Sequence, residues 1–405
     1  MQKKIKIVHL VGGNVNSGAS KGAFFLNKLL NNHPRIISKI LSEENIYKTK
    51  LNFKKLRFYY ERLPRLLYPN RTGSSFSSAT TGVNVLNNEY FLDADIIHLH
   101  WINHAFFNIS DLRKINKPIV WTIRDMWTFT GGCHYTLNCN KFIKSCNSCP
   151  QLKSNMSYDL STFNQNRKIR YLKNKNISFV TQSDWMTENA KKSKILKNEK
   201  IQTFYPSFDY KNFYYDYDKE LKKRFNSKNN KKIILFGAQN LKAEYKGFKY
   251  FLKALKYLDK DKFKVIFFGN LLDNYELKKI GIEFINLGYL NNTSFLRKLY
   301  SISDVFVISS IQDGSPKTII ESLLCETPIV YFKKTSIDDF CKSKKIGGYG
   351  AYYCDSRDLA NGIKWVSNKK DIKEITKKTK KLILKKFNQK DLTEKYVKLY
   401  EKIIK

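Results

Sequence analysis

Short, nearly unbroken apolar runs separated by longer amphipathic stretches recur along this chain. That alternation constrains the fold more than any other feature. Residues 4–11, 95–101, 118–123 and 177–182 read as strands, with a glycine turn at 12–13 and a helix over 18–30 after the first strand. Ser183 is a plausible cap for a helix after the fourth. The runs are continuous rather than alternating, as in parallel strands covered on both faces. The pattern then restarts, with strands at 231–236, 263–268, 304–309 and 328–332, a helix over 248–258 and another starting near Pro316. Strand–helix alternation implies βαβ units, and two series imply two doubly wound α/β domains. We place these at 1–205 and 206–390, followed by a terminal helix at 391–405. The joint falls near 205–212, where Pro206 and a polar and aromatic cluster break the pattern.

A length of 405 residues suits two or three domains. Apolar residues at 42% and aromatics at 14% exclude a disordered chain. Charge is the unusual quantity: 74 Lys and Arg against 35 Asp and Glu leave +39. A nucleic-acid binder concentrates such charge in a patch or arm, whereas here it is spread along the chain. A solvated basic surface is therefore expected, and no nucleic-acid partner. Peripheral contact with an anionic inner-membrane face is a further expectation, since each nearby Lys or Arg adds about 1 kcal/mol there. No apolar run approaches the ~18 residues of a membrane-spanning helix. The N-terminal apolar run is interrupted by Lys6 and His9 and lacks a small-residue cleavage site, so a first strand is the better reading than a signal peptide. The odd count of seven cysteines argues against a disulfide framework and for a reducing, cytoplasmic setting.

Two segments stand outside the alternation. Residues 47–88 carry many Lys, Arg and Tyr and then a Ser/Thr/Gly-rich run at 72–82. They read as an insertion, either a solvated excursion or a lobe facing an acceptor or a membrane. In the loop 131–152, Cys133, Cys139, Cys146 and Cys149 follow the spacing Cys-x5-Cys-x6-Cys-x2-Cys. Four thiolates so placed suit a closed structural Zn²⁺ site, with His134 as a substitute ligand; the alternative is four reduced cysteines in a packed loop.

The strongest local signal spans residues 309–321, Ser-Ser-Ile-Gln-Asp-Gly-Ser-Pro-Lys-Thr-Ile-Ile-Glu. It follows a strand and opens a helix, with Ser315 suited to the N-cap and Pro316 to the first helical position. The N–H groups of Lys317 and Thr318, beside Gly314 and Ser315, then make an anion site at the positive end of the helix dipole. Asp313 and Glu321 flank that site, and carboxylates accept hydrogen bonds from hydroxyls. An anion site with hydroxyl acceptors describes a nucleotide sugar. Lys246, before Gly247 in a βα turn of the same domain, can reach phosphates as a point charge. In the first domain, Gly12, Gly13 and Gly18 form a strand-to-helix loop. His98 and His100 are read as facing opposite sides of the sheet, with His98 in the core and His100 on the acceptor side.

These residues, with Gly18–Ala23, Asp95–Trp101, Lys117–Trp127, Phe129–Tyr135, Cys149–Leu152, Phe236–Ala238, Lys246-Gly247 and Pro316–Pro328, resemble the family-four retaining glycosyltransferases, most closely the bacterial surface-polysaccharide enzymes. The matches run in order along nearly the whole chain. The resemblance implies the GT-B fold, in which two Rossmann-like domains face each other across a cleft. Lys246, Asp313 and Glu321 would line one wall, with Gly13, His100 and Arg124 opposite. The family's paired-acid motif falls on Asp313 and Glu321, the second acid holding the donor ribose and the first facing the donor sugar. Its diphosphate-contacting Lys falls on Lys246. Three positions depart from the pattern: Asp313 is one methylene short, Ala238 stands where an Arg is usual, and Arg124 stands where a His often precedes the acid after the third strand.

The activity implied is transfer of a hexosyl group, with retention, from a nucleotide diphosphate sugar to a hydroxyl of a lipid-linked or growing glycan in envelope or exopolysaccharide assembly. Asp313, Glu321, Lys246, His100 and Arg124 are the catalytic candidates. Gly12, Gly13, Gly18, Lys246, Gly314, Ser315, Lys317, Thr318 and Glu321 are the donor-binding candidates. No catalytic divalent ion is expected, because Lys246 and the helix dipole take its place. The alternatives are a basic nucleic-acid-binding protein with a zinc loop, and an inactive transferase-like subunit that only binds.

Overall fold

The computed structural model describes residues 3–15, 17–46, 51–206, 209–226, 231–241, 243–270, 275–341 and 347–405. Part of the expected joint (207–208) and the first four residues of the expected insertion (47–50) lie outside the described residues. The chain divides into two compact units, residues 1–208 with 387–405, and residues 209–386.

The first unit holds a six-stranded parallel sheet. Its strands are β1 (Ile5–Val11), β2 (Ile36–Ser42), β3 (Ile96–Leu99), β4 (Ile119–Thr122), β5 (Ile177–Thr181) and β6 (Ile201–Thr203), in the spatial order β2-β1-β3-β4-β5-β6. Alternate side chains serve opposite faces. Val8, Leu10, Ile97, Leu99, Trp121 and Phe179 build a core on one side. Ile7, Ile96, Val120 and Val180 build another on the opposite side, beneath the helix Gly18–Asn31 and the terminal helix Gln389–Ile404, which contributes Tyr396, Val397 and Tyr400. The terminal helix is thus structurally part of the first unit.

The Ser/Thr/Gly-rich run, read above as part of an excursion, is partly interior. Phe76, Ser77, Ser78 and Ala79 are buried, and Ala79, Val83 and Val85 join the first core. Small residues let that backbone lie close: Trp127 Nε1 donates to the Ser77 carbonyl at 2.8 Å, and Ala79 N–H donates to Glu61 at 3.0 Å.

The second unit repeats the plan with β7 (Lys232–Asn240), β8 (Phe263–Asn270), β9 (Glu283–Asn286), β10 (Val305–Ile308), β11 (Ile329–Phe332) and β12 (Gly348–Ala351), ordered β12-β11-β10-β7-β8-β9, all pairs parallel. The order turns back at β7 and β10. Parallel doubly wound sheets bind ligands outside the carboxyl ends of the strands at such a switch point.

Candidate functional site

In the second unit the switch point is occupied by charge. After β7 the chain makes a short turn, Glu244–Lys246, and enters the helix Phe248–Leu255 through Gly247. After β10 it runs through a buried segment from Ser309 to Asp313. The two connections are stitched together. Ile311 N–H donates to the Tyr245 carbonyl at 2.8 Å, and Ser309 Oγ donates to the Lys246 and Gly247 carbonyls at 3.1 and 3.0 Å. This brings Lys246 Nζ to 2.5 Å from Asp313 Oδ2. Burial alone would lower the Lys246 pKa, but the Asp313 carboxylate outweighs it and holds the ammonium above its usual range. The other Asp313 oxygen accepts from Ser315 N–H at 3.2 Å.

Gly247 makes this approach possible. Its φ is +64°, and a Cβ there would lie 1.9 Å from the Ser309 carbonyl oxygen. Gly247→Ala should therefore cost more than the ~1 kcal/mol of a left-handed alanine, and it should displace Lys246. A thermal midpoint several degrees below wild type is expected. A variant matching the wild-type midpoint would show that the turn tolerates a side chain.

The following helix begins at Lys317, one residue later than the sequence pattern suggested. Pro316 is extended (φ −73°, ψ 111°) and occupies the cap position, and no side chain caps the helix. Ser315, expected as the cap, instead has a buried Oγ without a hydrogen-bond partner. Glu321 sits one turn inside, where its Oε2 accepts from Tyr300 Oη at 3.2 Å. Burial first, and then the Glu321 charge, push the Tyr300 hydroxyl well above its usual pKa, so it remains a donor. Gly314, Ser315, Lys317 and Thr318 all lie in this turn and first helical residues, and Ala238 lies where the β7–β8 register shifts, between Gly237 and Asn240.

The first unit carries a buried imidazole network. His98 and His100 do not face opposite sides of the sheet. Side chains two residues apart share a face, and these rings stack with centroids 4.2 Å apart. His9 joins from β1, its Nδ1 2.7 Å from His100 Nε2. Arg124, just beyond β4, donates through NH2 to His100 Nδ1 (3.0 Å) and through NH1 to Gln182 Oε1 (2.9 Å). The guanidinium has no acceptor role, so its bond fixes the tautomers. His100 must accept at Nδ1 and donate from Nε2 to His9 Nδ1, which leaves His9 protonated at Nε2. His98 is held by the Tyr400 and Thr122 hydroxyls, each at 2.8 Å.

The ring nitrogens of His9, His98 and His100 lie within 4.8 Å of one another, but they do not make a metal centre. The His9 and His100 nitrogens are hydrogen-bonded to each other at 2.7 Å, both His98 nitrogens are bonded to hydroxyls, and Arg124 adds a positive charge. Burial, with Arg124, takes His9 down to about 3, and His98 and His100 fall well below their usual value. Burial lowers Arg124 itself to about 10, so it stays cationic at neutral pH.

Beside this network, Gly13 (φ +78°) lies against Trp101, whose ring a Cβ would meet at 2.5 Å. Gly12 N–H donates to the Trp101 carbonyl at 2.7 Å. Gly18 is the first residue of its helix, behind the Ser17 cap, and packs against nothing that would exclude a side chain. Trp101 Nε1 donates to Asp125 Oδ2 at 2.7 Å, and His134 Nδ1 binds the same oxygen at 2.7 Å. Burial would raise the Asp125 carboxyl, but His134 and the donors around it hold it below its usual value.

The zinc expectation is not met. Among the described residues, the sulfurs of Cys133, Cys139, Cys146 and Cys149 supply no group of three ligand atoms within 4.8 Å. The four thiols lie within electrostatic reach of one another, Cys149 and Cys133 beside Tyr68, Phe76, Leu152 and Leu160 and Cys146 in the large core, but no three of the sulfurs converge. His134, the expected substitute ligand, is taken by Asp125 and Ser77. The loop closes instead on Lys168, fully buried, whose Nζ donates to the Trp127 and Thr130 carbonyls and sits 3.5 Å above the Trp127 ring.

Sequence reading had not placed His9, Asp125 or Tyr400 in the site. A signal existed for the first two. His9 breaks an otherwise apolar strand, and Asp125 follows Arg124 at a strand's carboxyl end. Tyr400 had none, because its partner His98 is 302 residues away.

Residues 218–386 match the family model described as glycosyl transferases group 1. A 63-residue stretch is 32% identical to WcaC of Escherichia coli strain K12, a protein named for colanic acid biosynthesis glycosyl transfer; it spans 15% of this chain and 16% of WcaC. Among solved structures, Anabaena Alr3699/HepE in complex with UDP and glucose is similar over 98% of this chain and 100% of its own (TM-score 0.64, 14% identity). WaaG, a glycosyltransferase involved in lipopolysaccharide biosynthesis, is similar over 97% and 99% (TM-score 0.63, 11% identity).

Proposed function

We propose that this chain, a GT-B protein with a group 1 glycosyl transferase domain over residues 218–386, moves a hexosyl unit from a nucleoside diphosphate sugar to a hydroxyl of a lipid-linked or growing surface glycan, with retention at the anomeric carbon. The observation that carries the reading is the Lys246–Asp313 pair at the switch point, beside a helix start and with Glu321 one turn inside that helix.

The leaving diphosphate gains negative charge as the glycosidic bond breaks, and fixed positive groups aimed at it provide the largest catalytic term. Lys246 and the N–H groups opening the helix Lys317–Leu324 supply them. Without donor, Asp313 neutralises Lys246. A diphosphate competes for the ammonium and releases the carboxylate, which then accepts hydrogen bonds from hydroxyls of the transferring sugar. Glu321, held by Tyr300, accepts from the ribose. In the first unit, Arg124 and the neutral His100 at the carboxyl edge of the sheet serve the acceptor side. The likeness to HepE makes a uridine donor the first to test, and those to WcaC and WaaG support a polysaccharide acceptor.

The test is UDP binding by calorimetry. Glu321→Gln removes a charged acceptor, worth about 1.5–3 kcal/mol, and should weaken UDP at least about tenfold while leaving the thermal midpoint near wild type. Equal affinity in wild type and variant would remove Glu321 from the ribose site.

A further inference from the structure

The helix Leu51–Arg62 and the 3₁₀ turn Leu63–Leu67 are amphipathic in the wrong sense for a surface helix of a soluble domain. The apolar stripe Leu56, Tyr59, Tyr60 and Leu63 follows the i, i+3, i+4, i+7 spacing of a helix face that normally turns inward. Here it turns outward: Leu56 is 50% exposed, Tyr59 65% and Leu63 49%, and Leu66 and Leu67 continue the patch at 62% and 78%. Two polar positions face the protein, beside Phe58, whose ring meets that of His104. Arg57 pairs with Glu43 at 3.0 Å, and Glu61 is buried, accepting from Ala79 N–H at 3.0 Å. The inward face is fixed by these bonds, so the outward apolar face is built into the fold.

The charge around the patch has one sign. Residues 51–71 contain six Lys or Arg and a single acid, Glu61, which is the buried one. Lys55 and Arg62 are exposed beside the leucines, Arg62 lying 3.8 Å over the Phe58 ring. Leucine and tyrosine flanked by long cationic side chains is the composition of a helix lying in a bilayer interface, with apolar groups among the acyl chains and cations at anionic headgroups. No helix of the described residues is long and apolar enough to cross a membrane, so this surface would lie on the bilayer. A second copy fits less well, because pairing this face with itself would set Lys55 and Arg62 of each copy among like charges.

We infer that residues 55–67 are a membrane-docking surface selective for anionic phospholipid. This deepens the proposed function by naming where a lipid-borne acceptor would be presented, and it rests on that reading only for the acceptor, since the docking itself is independent of catalysis.

The experiment is co-sedimentation of the full chain with phosphatidylcholine vesicles, with and without phosphatidylglycerol. Wild type should bind the anionic vesicles and little of the neutral ones, with binding falling as salt rises. Leu63→Glu/Leu67→Glu should weaken binding at least about tenfold, and Lys55→Glu/Arg62→Glu should weaken it and flatten its salt dependence. These side chains are exposed, so both variants should keep the wild-type thermal midpoint and UDP affinity. Equal binding to both vesicle types, or undiminished binding by the leucine variant, would overturn the inference. So would self-association of wild type that the leucine variant abolishes without any change in vesicle binding. Failure of UDP to bind wild type would count against the proposed function alone.

Discussion

Lys246→Ala is expected to lower kcat/KM by roughly two to three orders of magnitude, about 3–4 kcal/mol, because it removes a side-chain cation that the proposed function sets against the leaving diphosphate. It should also destabilise the second unit. Asp313 is 8% exposed, and without Lys246 its carboxylate is left buried and unpaired, at a cost of about 3 kcal/mol. The two effects separate in the double variant Lys246→Met/Asp313→Asn, which removes both charges. Its thermal midpoint should return toward wild type while activity stays lost. The pH behaviour distinguishes the pair as well. The folded pKa of Lys246 is raised, so its stabilising contribution is fully present below the unfolded value near 10.5 and is lost only as pH rises through the folded value. The ammonium should therefore give no titration in a rate profile around neutrality. A single variant with near-wild-type turnover would remove Lys246 from the chemistry.

The second large effect is acid lability of the first unit. His9 is held near 3, and His98 and His100 well below 6.5, by burial and by Arg124. As pH falls below 6.5, the unfolded chain takes up protons that the folded chain refuses, so stability is lost on the acid side. At about pH 5.5 each histidine that stays neutral costs about 1.4 kcal/mol, or about 4 kcal/mol for the three. Carboxylates near their ordinary pKa contribute little in that window. Four of the five tryptophans lie in the first unit, so urea unfolding followed by tryptophan fluorescence reports mainly on it. His98→Gln can keep partners in Thr122 and Tyr400 and should reduce the acid slope by about a third. An unfolding free energy flat from about pH 7.5 to 5.5 would show that the network accepts a proton without cost.

The interior of both sheets was legible in the sequence. The eight strands it marked correspond to β1, β3, β4 and β5 and to β7, β8, β10 and β11. The four it did not mark, β2, β6, β9 and β12, are the edges of the two sheets. Edge strands need less apolar continuity. Glu283-Phe-Ile-Asn and Gly348-Tyr-Gly-Ala carry no unbroken hydrophobic signal, and β2 is interrupted by Ser38 and Lys39. In the site, sequence marked Lys246 and Asp313 separately but gave no sign that they meet, because their contact depends on Ser309 bonding two carbonyls 62 and 63 residues away. The cysteine spacing pointed the other way. It suggested one centre, and the four thiols do share a neighbourhood, but spacing along a loop does not say whether the sulfurs converge on one point.

The return of residues 387–405 to the first unit has a consequence for biosynthesis. Residues 209–386 are contiguous, so the second unit has its full complement of chain before residues 387–405 are made. The first unit, although begun earlier, lacks Tyr396, Val397 and Tyr400 until residues 387–405 have left the ribosome. Until then one face of its sheet is covered only in part, by the helix Gly18–Asn31, and His98 lacks the Tyr400 hydroxyl. The half made first is therefore the half finished last. A premature stop between residues 387 and 405 would damage the first unit rather than the second.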